Sequence, residues 1–184
     1  MTPIVRPAEP GDAAALVALA NEVTAEPEGW LLTASAWRSV AGERRYLRAL
    51  RRHPDAMVFV AEDDGTIVGR LSVSRDPHPA SSHVADLGLM VARAHRRRGA
   101  GRALMLAAEE WARHVGVDKL ELHVFPHNAP AIALYEKLGY SREGRRRAHY
   151  RRPDGSRLDA ILMAKLLGAA DERRETPQPG PLYD

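Results

Sequence analysis

Residues 83–116 read HVADLGLMVARAHRRRGAGRALMLAAEEWARHVG, and this stretch decides the fold class. Its beginning, residues 83–91, is an apolar run rich in β-type residues, which predicts a strand. A loop with four arginines and two glycines follows at residues 92–101. Four apolar residues then recur at helical spacing and predict a helix that ends near Gly116: Leu104, Ala107, Ala108 and Trp111.

The loop between this strand and helix, RRRGAG at residues 96–101, suits an anion. The first amides of a helix have no internal partner, and the helix dipole adds partial positive charge there. Gly99 and Gly101 let backbone N–H groups approach a phosphate, and the arginines add charge-assisted hydrogen bonds. No Gly-Lys-Ser/Thr follows, and the third glycine of the dinucleotide fingerprint is missing. We predict phosphate binding without triphosphate hydrolysis, and the alternative is an ordinary basic loop.

The residues after this helix predict a second strand and a second helix. KLELHVF at residues 119–125 alternates apolar with polar side chains, so the strand has two different faces. A helix follows over residues 129–138, and Gly139 stands where helices favour glycine at their C-terminal end. A strand–helix–strand unit implies a parallel pair inside an otherwise antiparallel sheet. Such a sheet opens a crevice where the parallel strands part.

The rest of the chain predicts two early helices and two hairpins. Asp12 can cap a first helix that carries Leu16, Leu19, Ala20 and Val23, and a second helix begins at Thr33 or Ser35 and carries Trp37. Apolar runs around Gly65 and Gly155 predict hairpins. The predicted order is β1-α1-α2-β2-β3-β4-α3-β5-α4-β6-β7, an α/β fold with a mixed sheet. We expect one domain over residues 1–167 and a flexible, proline-rich tail over residues 168–184.

Composition narrows the class of protein. The chain has 184 residues, of which 45% are hydrophobic and 28% charged, as in globular domains. It lacks an apolar run that spans a bilayer and the pattern of a secretory signal, so we expect a cytoplasmic protein. Zero cysteines exclude disulfides and a cysteine nucleophile, and we expect no metal. The arginines form three clusters on separate elements, and aromatic content is 5%, which argues against nucleic-acid binding.

The block HVFPHNAPAIALYEKLGY at residues 123–140 carries a recognisable pattern. Asn128 precedes a helix, Tyr135 lies seven residues further on, and Gly139 and Tyr140 close the block. Together with GLMV at residues 88–91 and RRRGAG, this pattern resembles the GNAT superfamily of acetyl-CoA-dependent N-acetyltransferases over roughly residues 3–167. From about residue 83 onward the chain also resembles bacterial L-amino-acid N-acetyltransferases.

The resemblance implies an acetyl-CoA site with a defined set of residues. In the family, backbone groups of the strand before the loop pair with the pantetheine arm, and the loop amides hold the pyrophosphate. Arg96 stands at the family's Gln/Arg position. Asn128 either contacts the cofactor or caps its helix, and both roles are compatible. The expected cofactor-binding residues are Leu89, Met90, Val91, Arg96, Arg97, Arg98, Gly99, Ala100, Gly101, Arg102 and Asn128.

The resemblance also implies direct acetyl transfer to an amine. Tyr135 matches the family's general acid, which protonates the CoA thiolate, and its alternative is a tyrosine of the core. His123 is a candidate general base because its ordinary pKa suits deprotonation near neutral pH. Asp86, Glu28 or an ordered water are the other candidates, and His123 is alternatively a solvent-facing residue. The missing cysteine agrees with a reaction that forms no covalent enzyme intermediate.

The acceptor is expected to be a small-molecule amine, bound between the loop over residues 26–33 and the last hairpin. Glu28, Trp30 and Asp86 are the candidate substrate-binding residues. A free amino acid fits best, while a peptide N-terminus, a lysine side chain or an amine antibiotic remains open. A catalytically silent acetyl-CoA-binding protein is a further alternative. We expect neither nucleic acid nor a membrane as partner. Family members are often homodimers, and no motif in this sequence fixes the oligomeric state.

Overall fold

The computed structural model describes residues 3–31 and 37–168, so the predicted tail lies outside the described residues except for Gly168. The predicted mixed-sheet α/β fold is confirmed, with its elements in the predicted order. No helix of these two ranges has the length and apolar character that crossing a membrane requires. The strands are β1 (Ile4–Pro7), β2 (Ala56–Asp63), β3 (Thr66–Arg75), β4 (Val84–Val91), β5 (Lys119–Val124), β6 (Ser141–Arg151) and β7 (Arg157–Leu166), and the helices are α1 (Ala13–Thr24), α2 (Val40–Leu50), α3 (Ala100–His114) and α4 (Ala129–Lys137).

The seven strands form one sheet in the order β1-β2-β3-β4-β5-β7-β6, and only β4 and β5 pair in parallel. Their pairing ends where Asp86 lies opposite Glu121. Beyond that point β4 stays paired with β3 as far as Val91, and β5 stays paired with β7 as far as Val124. The two strands therefore separate toward their C-terminal ends and leave a crevice in the middle of the sheet.

Helices cover the two faces of the sheet unequally. On one face, α3 and α4 bury an apolar cluster that includes Leu104, Leu120 and Leu122. On the other face, α1 and α2 pack against β2, and α1 continues over Met90 of β4. Gly88 lies on the same side of β4 as Met90, yet it is exposed. The helices thus leave the middle of the second face open beside the crevice.

Helix α2 begins later than the sequence predicted. Thr33 and Ser35 lie outside the described residues, but Trp37 is not helical and the helix starts at Val40. Ser39 is the N-cap, and its hydroxyl accepts a hydrogen bond of 3.1 Å from the Gly42 amide. The prediction of a helix that carries Trp37 is wrong, because the Ser39 side chain caps α2 after Trp37 and Trp37 instead packs beside the end of α1.

Replacing Leu104 by alanine tests the core between α3 and the sheet. Leu104 has no exposed surface, so truncation leaves a cavity, and we expect the free energy of unfolding to fall by about 3 kcal/mol. Leu106 lies on the same helix and is 38% exposed, so Leu106→Ala is the matched control and should change stability by less than about 0.5 kcal/mol. Urea denaturation followed by circular dichroism measures both. Equal losses in the two variants would contradict this packing.

Candidate active site

The crevice between β4 and β5 opens into a cavity of ≈ 330 Å³. It lies between the C-terminal end of β4, the first turn of α3 and the inward side of α4, with Leu31 at its rim. Most of the residues that the sequence predicted for cofactor binding line it, together with Tyr135 and Trp30. The predicted residues on its wall are Trp30, Leu89, Met90, Val91, Arg96, Arg97, Gly99, Gly101, Arg102, Asn128 and Tyr135.

The loop before α3 presents backbone N–H groups to this cavity. Arg97 and Gly99 both have positive φ angles, of 64° and 94°, a left-handed conformation that an arginine adopts only with some strain. Gly99 is the N-cap of α3 and no side chain caps the helix, while the Ala103 amide makes the first closing bond, 2.9 Å from the Gly99 carbonyl oxygen. Turns of this kind and open helix N-termini bind anions.

Gly101 keeps the wall of the cavity close to the helix backbone. A Cβ atom at this position would lie 3.1 Å from Cδ2 of Leu134 and 3.7 Å from Cδ2 of Leu89. Ala100 is 2% exposed and its methyl group packs in the core, so only its backbone is available to a ligand. Arg98 is exposed and does not line the cavity. The arginine loop therefore offers a ligand mainly its amides and the side chains of Arg97 and Arg102.

The Arg96 guanidinium, which the sequence predicted for a phosphate, is occupied by a carboxylate. Its Nη1 donates to Oε2 of Glu26 at 2.7 Å, and its Nε donates to the carbonyl oxygen of Val91 at 3.1 Å. Glu26 is 8% exposed, so its carboxylate is shielded from water, while the Arg96 side chain remains 30% exposed. The pair fastens the segment after α1 to the end of β4. Sequence reasoning missed this contact because the partners are 70 residues apart.

Helix α4 brings Asn128 and Tyr135 to the same cavity. The Asn128 side chain accepts a hydrogen bond of 3.3 Å from the Ala131 amide, so it caps the helix while it lines the cavity. Tyr135 lies further along the helix, faces the crevice and is 6% exposed. Burial raises the pKa of its phenol well above the ordinary value, so the hydroxyl keeps its proton at neutral pH. A protonated phenol at this place can donate a proton into the crevice.

The open face of the sheet carries a second group of titratable side chains. Asp86 and Glu121 lie side by side where the parallel pairing ends. The surrounding protein desolvates the Asp86 carboxyl, and this burial together with the nearby Glu121 charge raises its pKa to about 6 against a smaller opposing effect of Arg146. Although neighbouring atoms surround the carboxyl, part of the Asp86 residue stays in contact with solvent on the open face. Two neighbouring carboxylates of this kind attract a cation, such as an ammonium group.

His123 lies two residues after Glu121 on the same face of β5, as the sequence predicted. Its Nδ1 is 2.8 Å from the hydroxyl oxygen of Tyr150, a residue of β6 that sequence reasoning did not single out. Burial lowers the pKa of His123, and the nearby charges of Arg146 and His149 lower it further. The imidazole is therefore neutral at neutral pH and can accept a proton, with Tyr150 fixing its orientation.

The three candidate substrate-binding residues lie in different places. Trp30 lines the cavity and stacks on His127, with ring centroids 5.7 Å apart. Glu28 pairs with Arg93 at 3.3 Å, beside the arginine loop, and its carbonyl oxygen lies 3.1 Å from Nε2 of His127. Asp86 lies on the open face of the sheet. The structure brings Asp86 and His123 together and keeps Glu28 apart from them.

Comparison with known proteins identifies the family. A profile of the Acetyltransferase (GNAT) family matches residues 18–140. The L-amino acid N-acetyltransferase AaaT of Escherichia coli K12 is 33% identical over 167 residues, which are 89% of this chain and 97% of that protein. The [ribosomal protein bS18]-alanine N-acetyltransferase of the same strain is 46% identical over 70 residues, 38% of this chain and 47% of that enzyme.

A solved structure has the same fold over nearly the whole chain. It is that of yncA from Salmonella typhimurium with its cofactor acetyl-CoA, which gives a TM-score of 0.79 at 21% identity and covers 97% of this chain and 98% of its own. The family profile spans more than half of the sequence, and AaaT is similar over almost its full length. The chain therefore belongs to the GNAT family and is an acetyltransferase.

Proposed function

We propose that this enzyme transfers the acetyl group of acetyl-CoA to the amine of a free amino acid or a related small molecule. One observation carries the proposal. The start of α3 lines the cavity beyond the point where β4 and β5 separate, the acidic pair of Asp86 and Glu121 lies at that point, and β4 contributes to both. A negatively charged donor and a cationic acceptor thus meet at the point where the strands separate. The similarity to AaaT, whose name states L-amino acids, also supports this choice.

The residues of the cavity fit acetyl-CoA as donor. The open amides of α3, together with Arg97 and Arg102, suit the pyrophosphate. Beyond Asp86, β4 is free of β5, so backbone groups of Leu89 to Val91 are available to the amides of a pantetheine arm. We infer that Asn128 shapes the pocket through its helix cap. When bound, acetyl-CoA supplies an activated thioester whose sulfur leaves as a thiolate.

Tyr135 acts as the proton donor in this proposal. It is buried, it faces the cavity, and its phenol stays protonated at neutral pH. A donor of this type gives up its proton only to a strong base formed close by, such as a thiolate. An amide of β4 near Leu89 to Val91 is positioned to stabilise negative charge that develops on the carbonyl oxygen.

Side chains on the open face of the sheet attract the acceptor amine and remove its proton. The acceptor amine arrives as an ammonium, which Asp86 and Glu121 attract, and only the neutral amine is nucleophilic. His123 accepts the proton at Nε2 in the tautomer whose Nδ1–H donates to the Tyr150 hydroxyl oxygen. Asp86 is the second candidate for this role because its raised pKa brings it closer to the working pH. The chain contains no cysteine, and the acetyl group passes directly from donor to amine.

The second candidate function is acetylation of a peptide N-terminus. It is supported by the ribosomal-protein relative, whose similarity covers less than half of either chain. A panel of free amino acids, polyamines, aminoglycosides and short peptides, assayed by thiol release from acetyl-CoA, separates the two candidates. Thiol release with none of these amines, despite acetyl-CoA binding, would mean a catalytically silent protein.

Tyr135→Phe tests the proton donor. The variant keeps the ring that lines the cavity, so the dissociation constant of acetyl-CoA should stay within about threefold. Without the phenolic proton, kcat should fall by about 100-fold or more. Tyr140→Phe is the matched control, since Tyr140 is also buried, lies near Tyr135 and does not line the cavity. The Tyr140→Phe enzyme should keep the kcat of the wild type. If Tyr135→Phe also keeps it, Tyr135 is not the proton donor.

The titration of Asp86 tests the acidic pair. Carbon-13 NMR of the labelled carboxyl group should give a midpoint near pH 6. Glu121→Gln removes a negative neighbour and should lower this midpoint, whereas Arg146→Gln removes a positive neighbour and should raise it. A wild-type midpoint close to the ordinary 3.8 would mean that Asp86 is fully hydrated.

Asp86 should also affect stability with a defined sign. Its pKa is higher in the folded than in the unfolded protein, so the folded state binds more protons between pH 3.8 and about 6. The free energy of unfolding should fall as the pH rises through this window. Asp86→Asn should remove that part of the pH dependence and stabilise the protein more at pH 7.5 than at pH 4. Urea denaturation of both proteins at the two pH values measures the difference.

A further inference from the structure

Arg70 is a buried cation whose hydrogen bonds are incomplete. It lies on β3 opposite Met90, is 5% exposed, and its guanidinium lies 5.1 Å from the Trp37 ring centroid. Its Nη1 makes one long hydrogen bond of 3.4 Å to the Ser72 hydroxyl. Its Nη2 is 3.8 Å from Oε1 of Glu43, the Tyr46 hydroxyl is a further polar neighbour, and its Nε has no partner among the described residues. Buried polar groups are seldom left in this state.

Among the described neighbours of Arg70, two arginines share one carboxylate, and an indole N–H has no acceptor. Glu43 is fully buried and faces both Arg70 and Arg38, so two cations surround one carboxylate. The indole Nε1 of Trp37 is buried and, within the described residues, has no acceptor. The unmet need of this cluster is therefore an anionic acceptor of several N–H bonds. A carboxylate has this chemistry, since a guanidinium binds its two oxygens in a fork.

Ser72 connects this cluster to the open face of the sheet. Ser72 lies opposite Gly88 in the register of β3 and β4, and Ser74 lies opposite Asp86. A Cβ atom at Gly88 would be 3.5 Å from the Ser72 hydroxyl oxygen, which in turn accepts the bond from Arg70. The Ser72 hydroxyl therefore lies between the Arg70 guanidinium and the exposed backbone of Gly88. Asp86, which attracts the acceptor ammonium, is the next residue on that face.

We propose that Arg70 binds the α-carboxylate of the acceptor while its ammonium lies over Gly88, toward Asp86. This inference rests on the proposed acetylation of amino acids and makes it more specific. In an α-amino acid, the ammonium and carboxylate are attached to one carbon, so both groups reach across the few ångströms between these positions. An amide, a decarboxylated amine or a peptide lacks a carboxylate at that distance and leaves Arg70 unpaired. The enzyme therefore requires a free α-carboxylate.

Arginines of the last hairpin are less suited to this task. Arg145 pairs with Asp159 at 2.6 Å, and Arg142 pairs with Glu136 at 3.2 Å. Arg146 lies closer to the site and influences Asp86, but it is exposed and its Nη1 is 3.4 Å from Nε2 of His149. An exposed arginine in water gains less from a carboxylate than a desolvated one with unused donors. Arg146 is the comparison residue for the experiment.

The experiment compares acceptors with and without the carboxylate. The twenty L-amino acids are assayed with acetyl-CoA by thiol release, and the best one is compared with its α-amide and its decarboxylated amine. In the wild type, kcat/KM for the amino acid should exceed that for the amide by about 100-fold. Arg70→Gln should lower kcat/KM for the amino acid by about 100-fold, mostly through KM, and change the amide by less than about threefold. Arg70→Lys should recover part of the loss, and Arg146→Gln should keep the ratio.

Two further variants protect the test against a folding defect. Glu43→Gln combined with Arg70→Gln removes both buried charges together and leaves only the half-exposed Arg38 without its carboxylate. Gly88→Ala adds a methyl group between Arg70 and Asp86 at a position where an alanine meets only an ordinary contact. It should raise the KM of the amino acid and leave the melting temperature unchanged. Melting curves and acetyl-CoA titration report the fold of each variant.

The outcomes separate this inference from the proposed function. If the wild type acetylates the amide or a peptide as well as the amino acid, or Arg70→Gln lowers all acceptors equally in a folded protein, the carboxylate role of Arg70 is wrong while amine acetylation stands. If no amine in the panel releases thiol, the proposed function itself fails. If Arg70→Gln lowers kcat/KM for the free amino acid alone and Arg70→Lys recovers part of it, Arg70 is the residue that determines specificity.

Discussion

Backbone hydrogen bonds between β4 and β5 stop at Asp86 and Glu121, and the rest of the molecule depends on that limit. Both strands continue beyond it, held in place by β3 on one side and β7 on the other, so they separate without losing their order. Polar backbone groups along the exposed edges need other partners. The cavity, the uncapped start of α3 and the inward side of α4 all lie at this gap. The proposed donor site is thus a consequence of how far two parallel strands pair.

Electrostatics divides the site into two parts. The α3 N-terminus and the arginine loop carry positive charge, while Asp86 and Glu121 place two carboxyl groups on the open face of the sheet, with Lys119 and Arg146 nearby. Ion pairs on the surface and at its edge neutralise part of the remaining charge, and at the loop the Glu26 carboxylate is buried against the partly exposed Arg96. Arg70 is the exception, because its surroundings leave donors unused. This arrangement explains how a chain rich in arginine can present local fields of both signs.

Sequence patterns predicted the order of the elements and the residues of the arginine loop, because these are local properties. Hydrophobic period, glycine position and helix caps are set by neighbouring residues, and they predicted Gly99 and Gly101 for an anion site. The resemblance to the GNAT superfamily implied Asn128 and Tyr135, and all four residues line the cavity. The predicted start of α2 was wrong. Thr33, Ser35 and Ser39 are all residue types that cap helices, and the sequence does not show which of them does so. Contacts between distant segments, such as His123 with Tyr150, had no signal in the sequence.

The sequence by itself determined the fold class and the position of the RRRGAG loop at the start of a helix. Only the tertiary structure decided which charges face each other. In the folded protein, Arg96 forms an ion pair with Glu26, and Asp86 lies opposite Glu121 on the neighbouring strand. Arg70 is buried and donates a hydrogen bond to Ser72. The physical reason is that period and propensity act within a few residues, whereas desolvation and charge pairing depend on groups that only folding brings together.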